Sequence, residues 1–223
     1  MNYRINEIFE TLQGEGVFTG VPAIFVRLQG CPVGCPWCDT QHTWNTDADK
    51  QVAVAELAKK TAADDRWAEL SADDIVAWFE RNGYRAKHVV ITGGEPAMFD
   101  LQPLAEVLEK RGYRLQIETS GTFPLQVSAA TWVTLSPKLD MPGGYLVQPE
   151  NMRRANEIKH PIAMQKHIDA LDQLLQQYPV ADDVVISLQP ISQRPRATEL
   201  AIATCIERGW RLSVQMHKYL NIE

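Results

Sequence analysis

Residues 22–40 read PAIFVRLQGCPVGCPWCDT, a strand-like apolar run that leads directly into a cysteine-rich loop. Three of the chain's four cysteines, Cys31, Cys35 and Cys38, lie in this loop beside two prolines and two glycines. Such a loop buries little apolar surface, but its soft thiolate ligands suit zinc, copper(I) or an iron–sulfur cluster. Three protein ligands leave one iron of a four-iron cluster open, much as a catalytic zinc site keeps one open position. The spacing therefore predicts a metal-binding loop, with an iron–sulfur cluster as the favoured occupant.

Two other interpretations of the loop remain. A structural zinc site could recruit His42, because Cys38 and His42 have a suitable spacing. The second interpretation is a disulfide or a chance clustering of the cysteines, although a reducing cytoplasm keeps thiols free. The fourth cysteine, Cys205, lies on the apolar face of a predicted helix and is expected to be an ordinary core residue.

The rest of the chain alternates between strand-like and helical stretches. The predicted strands cover residues 22–28, 87–92, 114–119, 131–135, 156–159, 184–188 and 210–215. The predicted helices cover residues 73–82, 100–111, 167–177 and 197–208. This pattern favours an α/β fold with mostly parallel strands, arranged as an incomplete TIM-like barrel, because residues 120–130 and 136–155 leave little room for full covering helices. We expect a single domain over residues 1–223.

Residues 44–72 are rich in Ala, Asp and Lys, unlike the sequence around them. This composition predicts a polar helical insertion that follows the cysteine loop. A solvated surface helix is its simplest role, and a docking surface for an extra protein partner is the alternative. If the insertion were only a partner surface, its deletion would leave catalysis intact.

Polar motifs follow three of the predicted strands at the point where each strand ends. They read ITGGEP at residues 91–96, IETSG at 117–121 and LSPK at 135–138. Ligand sites in parallel α/β folds gather at this end of the strands, and paired glycines let a ligand approach the backbone. Glu95 can accept from an ammonium group, and Glu118 and Ser120 suit ribose hydroxyls. Ordinary turns are the alternative for the second and third motifs.

A charged residue interrupts the first predicted strand. Arg27 lies within FVRLQG, and an unpaired buried guanidinium is costly, so Arg27 needs an anionic partner. A substrate carboxylate would satisfy it in a bidentate manner. An internal ion pair with Glu15, from the stretch TLQGEG at residues 11–16, is the alternative.

Bulk properties narrow the class of protein. The net charge of −6 argues against non-specific binding of nucleic acid or of an anionic membrane. No apolar run approaches the ~20 residues of a membrane span. The first residues, MNYRINE, lack the apolar core of a secretory signal. We therefore expect a cytoplasmic protein without nucleic-acid or membrane partners.

The cysteine spacing and the strand-end Gly-Gly-Glu-Pro resemble the radical S-adenosylmethionine (SAM) superfamily. More narrowly, the chain is similar to the 7-carboxy-7-deazaguanine synthase family almost from end to end. The matching stretches are TLQGEG at 11–16, residues 22–40, HVVITGGEP at 88–96, IETSGT at 117–122, SPK at 136–138, NEIKHP at 156–161, LQPIS at 188–192 and HKYLNI at 217–222.

The resemblance implies a trimmed TIM-like barrel that works as a homodimer and takes electrons from a donor such as flavodoxin or ferredoxin. Cys31, Cys35 and Cys38 would ligate a 4Fe–4S cluster, and SAM would bind the open iron. One electron from the cluster would cleave SAM to a 5′-deoxyadenosyl radical. The resemblance assigns to SAM the residues Gly94, Glu95, Glu118, Ser120, Ser136, Pro137, Lys138 and Gln189.

The substrate that the resemblance implies is 6-carboxy-5,6,7,8-tetrahydropterin. Hydrogen abstraction at C6, ring contraction and loss of ammonia would give 7-carboxy-7-deazaguanine, a precursor of queuosine and other 7-deazapurines, with SAM regenerated. Mg²⁺, which prefers oxygen ligands, would bridge to the substrate carboxylate and to Thr40. The residues assigned to the substrate are Leu12, Gln13, Gly14, Glu15, Arg27, Thr92, His217 and Glu223.

Two rival functions share part of this pattern. An activase that forms a glycyl radical on a partner protein would have the same cysteine loop but would need an open face. A zinc-stabilised binding module without catalysis would explain the cysteines alone. For His217, an ordinary half-exposed histidine is the alternative to a substrate ligand.

Overall fold

The computed structural model describes residues 1–60 and 63–222, so the predicted substrate residue Glu223 lies outside the described residues. Its strands are β1 (Asn2–Leu12), β2 (Pro22–Leu28), β3 (Ala68–Ser71), β4 (His88–Gly93), β5 (Arg114–Thr119), β6 (Trp132–Leu135), β7 (Glu157–Ile162), β8 (Val185–Pro190) and β9 (Arg211–Leu212). Its helices are α1 (Val54–Leu57), α2 (Ala72–Arg81), α3 (Gln102–Lys110), α4 (Pro149–Arg154), α5 (Gln165–Gln177), α6 (Pro195–Arg208) and α7 (Met216–Leu220). Among the described residues, no helix combines the length and apolarity needed to cross a membrane.

The described strands form one sheet in the order β3-β1-β2-β4-β5-β6-β7-β8-β9. β1 runs antiparallel to β2 and β3, and every neighbouring pair from β2 to β9 is parallel. Because β3 and β9 remain edges, the sheet does not close. The predicted α/β fold, an incomplete barrel of mostly parallel strands, is confirmed.

Outside residues 44–72, the strands and helices predicted from the sequence are all present. The four long helices begin and end within two residues of their predicted bounds. The last strand is shorter than predicted, since only Arg211 and Leu212 pair with β8. β1 was not predicted. A register shift between Ile5 and Glu7 breaks the alternation of apolar and polar residues that marks a strand.

The predicted helical insertion at residues 44–72 is wrong. In its described residues, the segment contains one short α-helix, α1, a 3-10 turn at Ala48–Lys50 and the strand β3. Trp67 and Leu70 are buried, and β3 pairs with β1. Long-range pairing outweighs the helical tendency of this Ala- and Glu-containing stretch. Deletion of residues 44–72 would therefore remove part of the sheet and cannot isolate a partner surface.

Helices cover the convex face of the sheet in two groups. Side chains of α2 and α3, such as Phe79 and Leu104, pack on the β1–β5 half. Side chains of α5 and α6, such as Leu171 and Ala201, pack on the β7–β8 half. Each fully buried large apolar side chain contributes roughly 1.5–3 kcal/mol, so these two clusters dominate the stability of the fold.

The loop after β1 occupies the concave face. The ring of Phe18 lies 4.5 Å from that of His88 and 5.0 Å from that of Trp132, measured between centroids. His88 and Trp132 are the first residues of β4 and β6, so Phe18 fills the amino-terminal end of the barrel. Space is left at the opposite end, where the parallel strands finish.

Candidate active site

A cavity of about 300 Å³ lies at the carboxyl ends of the parallel strands. It is large enough for a small ligand held on several sides. The sequence-assigned residues that line it are Leu12, Gln13, Gly14, Glu15, Arg27, Cys31, Cys35, Cys38, Thr40, Thr92, Gly94, Glu95, Glu118, Ser120, Ser136, Lys138, Gln189 and His217. Pro137 is buried and does not line the cavity, because the neighbouring Ser136 and Lys138 take the positions that face it.

The glycine pair after β4 packs against the start of the cysteine loop. Gly94 N–H donates to the Leu28 carbonyl at 2.9 Å, and Glu95 N–H donates to the Gly30 carbonyl at 2.8 Å. A Cβ atom on Gly94 would lie 2.1 Å from the Gly30 oxygen. Only glycine permits this approach, which brings the Gly-Gly-Glu-Pro motif and the cysteine loop into one wall of the cavity.

The cysteine loop fits an iron–sulfur cluster. Cys31, Cys35 and Cys38 are free thiols, and all three line the cavity. Burial raises the pKa of Cys31 to about 12, so the metal-free loop carries a neutral thiol there, and metal binding would release its proton. His42 is not among the residues that line this cavity, so a zinc site completed by His42 gains no support from its position. Among residues 1–60 and 63–222, no group of three or more His, Cys, Asp and Glu side chains is arranged to hold a single metal ion.

Glu95 joins the ends of β4 and β5. Its Oε1 accepts from Ala97 N–H at 2.9 Å and from the Thr119 hydroxyl at 2.5 Å. Its Oε2 accepts from Ser120 N–H at 2.8 Å and also from the Ser120 hydroxyl. Glu95, the predicted ammonium acceptor, therefore also links the ends of two strands. It orients the hydroxyl of Ser120 toward its own carboxylate.

A buried group of charges forms the cavity floor. Lys159 Nζ lies 2.7 Å from Glu15 Oε2 and 2.8 Å from Glu118 Oε2. Gln116 donates to Glu118 at 2.9 Å, and Gln215 donates to Glu15 at 3.0 Å. The one signal for Lys159 in the sequence is a lysine inside the strand-like NEIKHP. The alternative in which Glu15 pairs with Arg27 is wrong, because Glu15 pairs with Lys159.

The two carboxyl groups of this charge group titrate differently. Burial raises the pKa of Glu118 to about 7, despite the opposing charge of Lys159. Burial acts on Glu15 as well, but Lys159 and Gln215 outweigh it and hold the pKa of Glu15 at about 2. Burial therefore favours the neutral form of Glu118, whereas Lys159 and Gln215 favour the ionised form of Glu15.

Arg27 has an internal partner other than the one expected. Its Nε donates to Glu7 Oε1 at 2.5 Å, across the β1–β2 pair. The guanidinium carbon lies 5.7 Å from the centre of the Phe9 ring. Arg27 nevertheless lines the cavity, beside Thr92 on the adjacent strand β4.

The carboxyl-terminal segment closes one side of the cavity. Met216 N–H donates to the Gly14 carbonyl at 2.9 Å, which brings His217 against Gly14. Gln215 bridges Asp39, at 2.8 Å, and Glu15. Lys218 reaches Asp39 at 3.0 Å. This segment therefore connects the cysteine loop to the loop after β1.

Sequence reasoning missed several cavity residues. Aromatic side chains form an apolar part of the wall, and charged or amide side chains complete the floor and rim. The lining residues without a sequence-based assignment are Phe9, Phe25, Val33, Trp37, Asp39, Trp44, Gly93, Thr119, Lys159, Pro161 and Gln215. The aromatic spacing in IFETL and AIFVRL was a usable signal for Phe9 and Phe25, but Gln215 carried none.

Known proteins resemble the chain over its full length. The family model described as the radical SAM superfamily matches residues 25–138. The 7-carboxy-7-deazaguanine synthase of Escherichia coli (strain K12) is 57% identical over 222 residues, covering 100% of both chains. The enzyme of the same name from Buchnera aphidicola subsp. Schizaphis graminum is 43% identical, also over 100% of both chains. The crystal structure of QueE from Escherichia coli superposes with a TM-score of 0.94 at 56% identity, covering 97% of this chain and 95% of that chain.

These likenesses agree with the arrangement of the cavity, in which the cysteine loop and the Gly-Gly-Glu-Pro turn share one wall. They also favour the iron–sulfur interpretation of the cysteines, since the radical SAM superfamily model matches residues 25–138, which contain all three of them. The chain belongs to the 7-carboxy-7-deazaguanine synthase family of the radical SAM superfamily.

Proposed function

We propose that this chain catalyses the ring contraction of 6-carboxy-5,6,7,8-tetrahydropterin to 7-carboxy-7-deazaguanine with loss of ammonia, a step of queuosine biosynthesis. The product is the one that its relatives' name states. The observation that carries the proposal is the convergence of three free cysteines, the glycine turn, Arg27 and Lys138 on one cavity. The family requires a 4Fe–4S cluster, SAM and Mg²⁺. When bound, the cluster and SAM supply the one-electron chemistry that starts the reaction.

The chain's own residues divide the cavity into two parts. On the cluster side, Cys31, Cys35 and Cys38 would hold the iron, and the backbone at Gly94 would receive the polar end of SAM. Lys138 is held by the hydroxyl of Ser136, and burial lowers its pKa. A buried cation at this place would attract the carboxylate of SAM.

On the substrate side, the cavity offers groups that suit an acidic pterin. Arg27 would bind the carboxylate, and Glu15 and Thr92 would accept or share hydrogen bonds with the ring edge. Gln13 acts mainly through its backbone, because its Nε2 donates to Gln116 at 3.3 Å and its Oε1 accepts from Glu15 N–H at 3.1 Å.

An anaerobic product assay tests the proposal. The reconstituted, reduced protein is mixed with SAM, Mg²⁺ and 6-carboxy-5,6,7,8-tetrahydropterin, and mass spectrometry follows 7-carboxy-7-deazaguanine. We expect that product together with recovered SAM. Deoxyadenosine that accumulates without 7-carboxy-7-deazaguanine would mean that the substrate is wrong while the radical chemistry stands.

Thr40 is the proposed protein ligand of Mg²⁺. Its Oγ1 lies 3.6 Å from Cys38 Sγ, so it sits between the cluster side and the substrate side. We expect Thr40→Ala to raise the Mg²⁺ concentration needed for half-maximal turnover by at least about tenfold, because loss of a group that only supports a metal ligand already lowers metal affinity about 10- to 100-fold. Thr40→Ser, which keeps the hydroxyl, is the matched control. An identical Mg²⁺ titration for Thr40→Ala and the parent protein would remove Thr40 from the metal site.

Assembly and partners are further proposals. A homodimer is supported by exposed apolar side chains on α7, where Tyr219 and Leu220 are 61% and 53% exposed, and light scattering on the purified protein tests it. The electron donor, a flavodoxin or ferredoxin, and the reducing cytoplasm follow from the redox chemistry of the family. A further protein partner at residues 44–72 stays a prediction, restricted now to the side chains that β3 and its neighbours leave exposed.

A further inference from the structure

The pairing register of β1 changes at Asn6. Ile5 lies opposite Leu28, whereas Glu7 lies opposite Arg27, so Asn6 is one extra residue in β1. Since side chains alternate along a strand, one extra residue turns those that follow onto the other face. Ile5 and Ile8 both remain in the helix-covered core. Glu7 and Phe9 consequently point toward the concave face that holds the cavity.

The bulge is fixed by residues on both sides of the cysteine loop in the sequence. The fully buried Asn6 donates through Nδ2 to Gln29 Oε1 at 2.7 Å and to the Asp64 carbonyl at 3.1 Å. Lys60 Nζ donates to the Asn6 carbonyl at 2.7 Å and to the Arg66 carbonyl at 2.6 Å. The backbone carbonyl that the bulge frees at Asn6 is thus satisfied by Lys60, and the side-chain amide of Asn6 is anchored, which sets the direction of Glu7.

Glu7 and Phe9 hold the guanidinium of Arg27 from two sides. Glu7 Oε1 accepts a hydrogen bond from Nε, with the two atoms 2.5 Å apart. The centroid of the Phe9 ring lies 5.7 Å from the guanidinium carbon. Phe9 is itself stacked on Phe25, with ring centroids 5.3 Å apart and planes 8° from parallel. In the part of the chain that the structure describes, neither Nη atom of Arg27 makes a hydrogen bond.

We propose that Glu7 is a positioning residue of the substrate site, which holds Arg27 by Nε so that its two Nη atoms face a substrate carboxylate. The inference rests on the proposed function, in which Arg27 binds that carboxylate. A guanidinium binds a carboxylate best as a planar fork, and an untethered arginine must lose several rotatable bonds on binding. Because Glu7 already restricts these bonds in the free protein, less conformational entropy is lost when the substrate binds.

Equilibrium binding tests the inference without turnover. The probes are 6-carboxypterin and pterin, which differ by the carboxylate, titrated by fluorescence into cluster-loaded protein with SAM and Mg²⁺ and without reductant. We expect Glu7→Ala to weaken 6-carboxypterin binding by about 10- to 100-fold, the effect of losing a hydrogen bond to a charged group. Pterin should bind within about twofold of the parent protein, because Arg27 does not contact it. Glu7→Gln, whose amide oxygen still accepts from Nε, should restore 6-carboxypterin affinity to within about threefold.

Two further variants test whether the loss of affinity is specific to Glu7 and whether it depends on Arg27. Asp73→Asn removes the partner of Arg111 in an exposed ion pair and should leave both affinities unchanged. Glu7→Ala combined with Arg27→Ala should bind 6-carboxypterin no more weakly than Arg27→Ala alone, because Glu7 acts through Arg27.

The outcomes separate this inference from the proposed function. If Arg27→Ala weakens 6-carboxypterin binding and Glu7→Ala does not, the positioning role is refuted and the proposed substrate site stands. If Arg27→Ala leaves the affinity unchanged, the proposed substrate site fails and the inference fails with it. Equal loss of 6-carboxypterin and pterin affinity in Glu7→Ala, or an equal loss in Glu7→Gln and Glu7→Ala, would also overturn the positioning role.

Discussion

Cys35→Ala is expected to abolish reductive cleavage of SAM. The Cys35 thiol is buried and lines the cavity with Cys31 and Cys38, so the loop would keep two ligands where a cluster needs three. Changing a group that only supports a metal ligand lowers metal affinity or activity about 10- to 100-fold. Loss of the ligand itself should therefore lower SAM cleavage by more than about 100-fold. Deoxyadenosine formed per protein and iron per protein are the measurements.

The fourth cysteine provides the matched control for this experiment. Cys205 is also a buried free thiol, but it lies on α6 and donates to the Arg211 carbonyl at 3.1 Å, away from the cavity. Cys205→Ala should keep its iron and its SAM cleavage. Normal deoxyadenosine formation by Cys35→Ala would refute the ligand assignment, whatever Cys205→Ala does.

Lys159→Met is expected to have the largest effect on folding. The substitution leaves Glu15 and Glu118 buried together without a cation, and removing one partner from a buried ion pair costs about 3–5 kcal/mol. Urea unfolding of the cluster-free protein at pH 8, followed by tryptophan fluorescence, measures the loss of unfolding free energy. Arg111→Met is the control, because Arg111 and Asp73 are largely exposed and such a pair contributes only about 0–1 kcal/mol.

The pH dependence of this loss follows from the two carboxyl groups. In the parent protein, Glu15 has its pKa lowered to about 2, so it adds stability that is present above its ordinary pKa and lost as pH falls toward 2. Glu118 has its pKa raised to about 7, so its contribution is present at low pH and declines as pH rises toward 7. Without Lys159 both carboxyls favour the protonated state, so the deficit of Lys159→Met should shrink between pH 8 and pH 5.

A second substitution sharpens the test of the buried charges. Glu118→Gln added to Lys159→Met removes one of the two uncompensated carboxylates and should recover part of the lost stability at pH 8. A deficit below about 1 kcal/mol that does not vary with pH would show that Lys159 behaves like an exposed lysine.

Local sequence was sufficient for much of the site. The spacing of Cys31, Cys35 and Cys38 identified a metal-binding loop because cluster ligands on one short loop need no distant partner. The strand-end motifs at Glu95, Glu118 and Ser136 were found because parallel strands finish at the same edge of a sheet. The long helices were also predicted from local features, namely their apolar periodicity and, for α2, α3 and α6, the glycine that follows.

The tertiary structure decided the features that depend on distant partners. Glu15 and Lys159 are 144 residues apart, and Asp39 and Gln215 are 176 residues apart, so no local pattern pairs them. β3 forms in a stretch that reads as helix because β1 supplies its hydrogen bonds. Asn6 becomes a bulge because Gln29 and Asp64 accept from its side-chain amide and Lys60 donates to its carbonyl. By itself the sequence determined the cluster loop and the order of strands and helices, since both depend on neighbours in the chain. Only the fold decided which charges face one another in the cavity, because burial makes each of them depend on a partner that the chain brings from far away.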